Sequence, residues 1–199
     1  MVFVKKAESR FGMTKKHHKK TFEKALEEGK VDEGFVELCR HLAGTKGYFT
    51  TSCCAGRIAL MCLEEDEEKK ENAFYRKWHR KVREKEVLGA IDGFKGECLW
   101  LKQEPLILHA GAKDLAGAKK LITIGHRAGI KRAGIMTAKN GKFIVEILGS
   151  QNMSVPVKGK GFRADEEYVK RLVGIANKKY ENNKRILKRL ENEIKRGLK

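Results

Sequence analysis

The sequence contains no long apolar run. Its apolar start, Met1 to Val4, is far too short for a signal peptide, and no later run approaches the length needed to cross a bilayer. The five cysteines are an odd number, and no secretory signal precedes them. We therefore expect a cytoplasmic protein with reduced thiols and no membrane partner.

Several chemical motifs are also missing. There is no Gly-Lys-Ser/Thr phosphate loop, and Gly125, Gly129 and Gly134 have the wrong spacing for a dinucleotide-binding loop. Cysteines two residues apart do not occur, and no Ser-His-Asp set can be assembled from spacing alone. These absences argue against a Rossmann enzyme and a P-loop enzyme, and we expect no metal.

Acidic residues are scarce relative to basic ones. There are 44 Lys and Arg against 26 Asp and Glu, which gives a formal net charge of +18. A Lys/Glu-rich solvated surface of the thermophile kind explains many of the charges but not this imbalance. A cationic exterior attracts polyanions, and nucleic acid binds it with release of counterions. We expect a nucleic-acid partner, ahead of a merely solvated surface and far ahead of an anionic membrane.

Helical and strand patterns separated by glycines predict an α+β fold. We expect a single domain over 1–199 with a basic segment at 1–20, a mixed and largely antiparallel sheet with flanking helices, and a long basic helix over 165–199. Helix, glycine, strand, tight turn and strand occur in that order at 32–63 and again at 114–148. This repetition hints at an internal duplication.

Local signals predict individual elements. A helix is expected from about Thr21 to Gly29, Asp32 and Asp114 are expected to cap two more, and Asn140-Gly141 predicts a hairpin. Strands are expected at 58–63, 98–102 and 104–110, an edge strand at 153–157, a loop or short helix at 73–86, and a solvated acidic block at 64–68. The apolar stripe of the last helix is expected to comprise Tyr168, Leu172, Ala176, Tyr180, Leu187, Leu190 and Ile194.

The stretch from Tyr48 to Ile58 has an unusual composition. Five consecutive small residues, Thr51 to Ala55, leave room for something other than side chains. Gly56 permits a positive φ or a close backbone approach, and Arg57 carries a rigid five-donor fork that suits a carboxylate or a phosphate. This stretch is our candidate binding site for a charged small molecule.

Two other regions leave alternatives open. Tyr75 and Trp78 lie among basic residues, which suits stacking on a base, but packing into a core explains the aromatics equally well. His109 follows an apolar run, where a histidine is usually a satisfied core residue, although it could border a cleft. The basic faces of the last helix after Asn177 fit both a docked amphipathic helix and contact with phosphates.

The run from Tyr48 to Ile58 resembles the motif of the tRNA wybutosine-synthesising protein 3 family. The resemblance continues through 104–109, 129–135 and 155–157, and through Tyr168, Leu172, Asn177, Asn183 and Arg185 in the last helix. Cys53, Ala55 and Ala133 depart from it, because the family often has serine at these positions. The similarity covers nearly the whole chain.

The resemblance implies an S-adenosylmethionine-dependent methyltransferase that is not of the Rossmann type. Its substrate would be the N-4 nitrogen of the tricyclic base at position 37 of phenylalanine tRNA. It implies donor binding by Thr50, Thr51, Ser52, Cys54, Gly56 and Arg57, where Arg57 would hold either the donor carboxylate or a tRNA phosphate.

The same resemblance suggests roles for other residues. His109, or less readily His79, would accept the proton of the nitrogen, since imidazole titrates near neutrality. Tyr75 or Trp78 would stack on the base, and Lys178, Lys179 and Arg185 would contact the tRNA. A non-catalytic tRNA-binding module is the alternative. The sequence does not address the oligomeric state.

Overall fold

The chain divides into two compact units that are each built from separate stretches of sequence. The computed structural model describes residues 2–62, 73–96 and 98–198, so the acidic block at 64–68 lies outside the described residues. The first unit contains residues 1–55, 106–150 and 184–199, and the second contains residues 56–105 and 151–183. The expectation of a single domain stays a prediction.

The helices and strands follow one another in an irregular order. The helices are α1 (Val2–Glu27), α2 (Val36–Gly44), α3 (Glu84–Asp92), α4 (Leu115–Arg127) and α5 (Glu166–Gly197), with a 3-10 turn at Glu33–Phe35. The strands are β1 (Tyr48–Cys54), β2 (Arg57–Cys62), β3 (Ala73–Trp78), β4 (Leu99–Glu104), β5 (Ile107–Ala112), β6 (Arg132–Lys139), β7 (Lys142–Leu148), β8 (Met153–Gly159) and β9 (Phe162–Arg163). No helix among the described residues is both long enough and apolar enough to cross a membrane.

Each unit contains its own sheet. The first has the strand order β1-β5-β7-β6 and the second has β3-β2-β4-β8-β9. All strand pairs between described residues are antiparallel, so the α+β prediction is confirmed, with two sheets in place of one. The two segments that suggested a duplication differ, because β1 and β2 belong to different sheets whereas β6 and β7 form one hairpin.

One face of the four-stranded sheet is apolar because side chains alternate along each strand. Leu108 and Ala110 of β5 and Val145 and Ile147 of β7 are fully buried in a single cluster. Helices α2, α4 and the end of α5 supply the other side of this cluster, through Leu38, Leu42, Leu121, Leu190 and Ile194.

The five-stranded sheet has a separate core. Ile58 and Leu60 of β2 and Leu99 and Leu101 of β4 are fully buried with residues of α3 and the first half of α5. The predicted stripe of α5 is largely confirmed, with Leu172, Ala176 and Tyr180 in this core and Leu187, Leu190 and Ile194 in that of the first unit. Tyr168 was placed wrongly on the stripe, since it is 45% exposed.

The strongest local signals are confirmed. The Asp114 carboxylate accepts the Gly117 N–H at 2.8 Å at the start of α4, and the Asp165 carboxylate accepts the Tyr168 N–H at 2.8 Å at the start of α5. Asn140 and Gly141 connect β6 and β7, with Gly141 at φ +77°. These hydrogen bonds and this turn join residues that are close in sequence, so sequence patterns can predict them.

Other expectations fail where tertiary contacts decide. Helix α1 begins at Val2, not near Thr21, and residues 73–86 contain β3 and the start of α3 instead of a loop or short helix. The run at 104–110 is not one strand, because β4 ends at Glu104 and β5 begins at Ile107, after Pro105. β8 lies between β4 and β9, so it is not the edge strand expected from Pro156.

Asp32 also differs from its predicted role. It precedes the 3-10 turn, but its side chain makes no helix-capping hydrogen bond. Its carboxylate accepts the Ala55 N–H at 2.7 Å instead. Asp32 therefore fixes the backbone just after β1.

Candidate active site

Three polar side chains lie side by side on the outer face of the four-stranded sheet. Ser52 of β1 is opposite His109 of β5, and His109 is opposite Glu146 of β7. Gly134 of β6 is opposite Glu146. Directly opposed residues share a face and lie within reach of one another. We call Ser52, His109 and Glu146 the polar row.

Hydrogen bonds connect the polar row from end to end. His109 Nδ1 lies 2.8 Å from Ser52 Oγ, and His109 Nε2 lies 2.9 Å from Glu146 Oε2. An ionised carboxylate only accepts, so this network assigns the proton to Nε2 and lets Nδ1 accept the Ser52 hydroxyl. The side chains of His109 and Glu146 are each 27% exposed, and Ser52 is exposed. The row therefore opens to solvent at its serine end.

A β-bulge in β1 brings Ser52 opposite His109. Thr50 pairs with Ala110 and Ser52 pairs with His109, so Thr51 is the extra residue. The hydroxyls of Thr50 and Thr51 both donate to the backbone oxygen of His109, at 3.4 and 3.3 Å. The two threonines thus hold the backbone that carries the imidazole.

The outer face is covered on one side of the polar row and open on another. Phe49 lies over Gly111, where an added Cβ would be 2.1 Å from the Phe49 ring. Phe11 of α1 packs on Phe49 with ring centroids 5.8 Å apart, so α1 covers this part of the sheet. Beside Glu146, an added Cβ at Gly134 would meet no atom of the described residues within 4 Å. A ligand can therefore reach the row from the β6 side.

A small cavity lies alongside β1. Its volume is about 190 Å³, and its lining includes Thr50, Thr51 and Ser52 together with His18 of α1 and Cys39 of α2. Sites that enclose a whole drug-sized ligand occupy roughly 300–1,000 Å³, so this cavity has room for only part of one. Three of the predicted donor-binding residues thus lie together.

The thiols near β1 do not form a reactive centre. Cys39 is fully buried, and its Sγ lies 3.7 Å from Cys53 Sγ. The hydrogen bond with Cys39, together with burial, raises the pKa of the Cys53 thiol far above its ordinary value. A thiol that stays protonated is a poor nucleophile, so Cys53 acts in packing. Cys54, a predicted donor-binding residue, ends β1 opposite Ile107, on the face of the polar row.

Gly56 and Arg57 belong to the second unit, whereas 50–54 belong to the first. Gly56 has φ +91°, and an added Cβ would lie 2.6 Å from Asn183 Nδ2. The predicted positive φ is therefore present, and the close neighbour is a protein side chain. The Arg57 guanidinium is paired with the Glu104 carboxylate and lies 4.3 Å from the Phe74 ring centroid. An oxyanion ligand would have to compete with Glu104 for Arg57, whose donor-binding role stays a prediction.

The aromatic residues of β3 are engaged within the second unit. Trp78 and Tyr75 are partly buried against its core, and the Tyr75 ring centroid lies 5.0 Å from that of Phe94. These contacts favour the core interpretation over base stacking. The exposed residue His79 follows β3, and its backbone oxygen accepts the Tyr180 hydroxyl at 2.5 Å. The structure does not bring His79 into the polar row.

The predicted tRNA-contacting residues all lie on α5. Lys178 and Arg185 are exposed, and Lys179 is half-buried. Lys178 and Lys179 lie in the stretch of α5 assigned to the second unit and Arg185 in the stretch assigned to the first. Their exposure suits phosphate contact, which stays a prediction.

Sequence reasoning missed Glu146. It lies 37 residues from its partner His109, in a strand that reads as an ordinary hairpin arm. The available signal was its position: a lone acidic residue between Val145 and Ile147 in an apolar strand faces away from the core. Such a residue indicates a polar outer face, but not the partner across the sheet.

Comparisons with known proteins identify the family. A family model described as Methyltransferase TYW3 matches residues 10–196. The chain belongs to the TYW3 methyltransferase family. It is therefore an enzyme, and the alternative of a non-catalytic binding module is set aside.

The similarity to individual relatives extends over nearly all of this chain. A Pyrococcus furiosus protein is 38% identical over 92% of this chain and 94% of its own length, and one from Thermococcus kodakarensis is 37% identical over 87% and 88%. Both are named tRNA(Phe) 7-((3-amino-3-carboxypropyl)-4-demethylwyosine(37)-N(4))-methyltransferase 1. The solved structure of the PH1069 protein from Pyrococcus horikoshii has a TM-score of 0.88 and 37% identity, covering 98% of each chain.

Proposed function

We propose that this enzyme transfers a methyl group from S-adenosylmethionine to N-4 of the tricyclic base at position 37 of phenylalanine tRNA. The names of the two relatives support the substrate. The observation that carries the proposal is the polar row, because Ser52, His109 and Glu146 form a continuous hydrogen-bonded path from a solvent-facing hydroxyl to a carboxylate. Methyl transfer to a nitrogen that bears hydrogen needs such a proton acceptor.

The reaction asks for positioning and for removal of one proton. S-adenosylmethionine supplies a methyl group on a sulfonium sulfur, which keeps the electron pair of the broken C–S bond as the N–C bond forms. The acceptor nitrogen then sheds its proton. Holding the reactants in line can account for much of the acceleration, and general-base catalysis typically contributes 10²–10⁴-fold.

The polar row can receive that proton. The Ser52 hydroxyl passes its proton to His109 Nδ1 as it takes the proton of the substrate nitrogen. The imidazolium that results keeps its Nε2–H on Glu146, whose charge stabilises it. The imidazolium then returns the proton to solvent at the exposed end of the row.

The surroundings of the row fit a cationic methyl donor. Glu146 places a negative charge on the same face, and the cavity beside β1 has room for part of a ligand. The exposed basic residues of α5 and the net charge of +18 support contact with the tRNA backbone. Base 37 lies in a single-stranded loop, so extruding it costs little.

A mass measurement tests this function. Purified protein is incubated with S-adenosylmethionine and tRNA from cells that lack the enzyme, and the nucleoside at position 37 is then weighed. We expect a single added methyl group, and none on tRNA that lacks the tricyclic base. A folded protein that binds the donor in calorimetry but adds no methyl to this tRNA would contradict the proposal.

A further inference from the structure

A second cleft lies in the first unit where α4 meets β6. Residues 129–132 form one side, residues 148–150 form the other, and Ile186 of α5 contributes an apolar contact. Its volume is about 210 Å³, which suits a small polar group but not a whole nucleotide. The cleft is separate from the cavity beside β1.

Three basic side chains lie in or beside this cleft. Lys131 and Arg132 line it and are exposed. The Arg189 guanidinium packs against Gly129, where an added Cβ would lie 3.5 Å from Arg189 Nη2. None of the three forms a hydrogen bond or an ion pair with another residue in the described ranges 2–62, 73–96 and 98–198.

Other basic residues near the end of α5 are different. Lys188 and Lys195 are both bound to Glu191, and Arg196 is bound to Glu193. The cations around the cleft therefore keep their full donor capacity for a ligand. An arginine fork with free donors suits a carboxylate or a phosphate.

Arg132, which lines the cleft, lies on the face of the sheet that carries the polar row. Arg132 of β6 is opposite Leu148 of β7, which is opposite Ile107 of β5. On the same face, the next set of opposed residues is Gly134, Glu146 and His109, so the Cα atoms of Arg132 and His109 are roughly 12 Å apart. Leu148 and Ile107 form a partly buried apolar floor between them.

The Ser150 hydroxyl lies on the opposite side of the cleft. Basic side chains together with a hydroxyl donor suit a carboxylate.

We propose that this cleft binds the carboxylate of an α-amino-acid group and so fixes one reactant for transfer at the polar row. This inference rests on the proposed function, under which two sources exist. One is the methionine end of the donor, and the other is the 3-amino-3-carboxypropyl group that the names of the relatives place on the base. Both carry the same amino-acid end.

Arg132→Gln tests the cleft, with Lys139→Gln as the control, since Lys139 is exposed at the other end of β6. Donor affinity is measured by calorimetry. Affinity for tRNA is measured by fluorescence anisotropy with two tRNAs, one whose tricyclic base bears the amino-acid substituent and one whose base lacks it. Arg189→Gln provides a second variant, and thermal melting checks folding.

Losing one charge-assisted contact should weaken binding about tenfold or more. A loss confined to the donor assigns the cleft to methionine, and a loss confined to the substituted tRNA assigns it to the base; both outcomes support the proposal. An equal loss of affinity for the two tRNAs, with a shallower salt dependence, would indicate a phosphate site and overturn the proposal. Affinities in Arg132→Gln that match those of the Lys139→Gln control would overturn it too. Methyl transfer by the unaltered protein decides the proposed function separately, because these affinities need no turnover.

Discussion

Two groups of side chains are buried to a similar extent but differ in their hydrogen bonding: the polar row of the first unit, and Arg57, Glu104 and Phe74 of the second, which we call the Arg57 cluster. His109 and Glu146 are each 27% exposed, and Arg57 and Glu104 are 26% and 28% exposed. In the polar row the hydrogen bonds end at the exposed Ser52 hydroxyl. In the Arg57 cluster the guanidinium is paired with Glu104 and stacked on Phe74. Exposure alone therefore does not identify a binding site. A site also needs hydrogen-bonding groups that a ligand can still reach.

This difference separates chemistry from scaffold. Both ring nitrogens of His109 already have partners, so a substrate would meet the row at the exposed Ser52 hydroxyl. Arg57 instead links β2 to β4, where it is directly opposite Glu104. Substitutions in both units can test this difference.

Removing the imidazole should have the largest effect. We expect His109→Ala to slow single-turnover methyl transfer by about 10²–10⁴-fold, because the proton acceptor is lost. Affinities for donor and tRNA should stay near those of the unaltered protein. His126→Ala, an exposed histidine of α4, is the control. A normal transfer rate in His109→Ala would return His109 to a structural role.

Two glycines on the outer face of the same sheet should respond differently. Gly111→Ala would place a methyl group 2.1 Å from the Phe49 ring, and overpacking of this kind costs about 1–3 kcal/mol. Gly134→Ala adds a methyl group that has no neighbour within 4 Å in the part of the chain that the structure describes, so it should leave stability almost unchanged. Chemical denaturation measures both. Equal destabilisation would show that α1 does not close the Phe49 side of the face.

Arg57→Gln should act mainly on stability. We expect a loss of about 1 kcal/mol, because the ion pair is partly exposed and the stacking on Phe74 is modest. Arg76→Gln is the control, since Arg76 stacks on Tyr75 at 4.7 Å but has no carboxylate partner among the described residues. Donor affinity measured on both variants decides the binding role. A tenfold or larger loss in Arg57→Gln alone would place Arg57 in the donor site.

The smallest effect concerns pH and the docking of α1. The ring of His18 stacks on Phe49 with centroids 5.1 Å apart. Its pKa is lowered mainly by burial, and to a smaller extent by the neighbouring charges of His17 and Lys142. Between the ordinary histidine pKa and the lowered pKa of His18, the unfolded chain binds more protons than the folded one. Stability should therefore fall as the pH falls through this window. His18→Gln should flatten the dependence of Tm on pH between about 5 and 7, and the control His126→Gln should not. An unchanged slope would contradict this linkage.

The sequence alone was enough to predict features that depend on residues close together in the chain. The caps at Asp114 and Asp165, the Asn140-Gly141 turn and the stripe of α5 depend on neighbours along the chain. Their patterns predicted them because backbone hydrogen bonds and helical periodicity act within a few residues. The family resemblance rested on the same printed residues, and with it came the methyltransferase activity.

Only the tertiary structure decided which side chains meet. Ser52 and His109 lie 57 residues apart, and His109 and Glu146 lie 37 apart. The division of Cys54 and Arg57 between two sheets is equally invisible in a run of adjacent residues. Strand partners and register follow from how apolar faces are buried together, and that choice belongs to the whole chain.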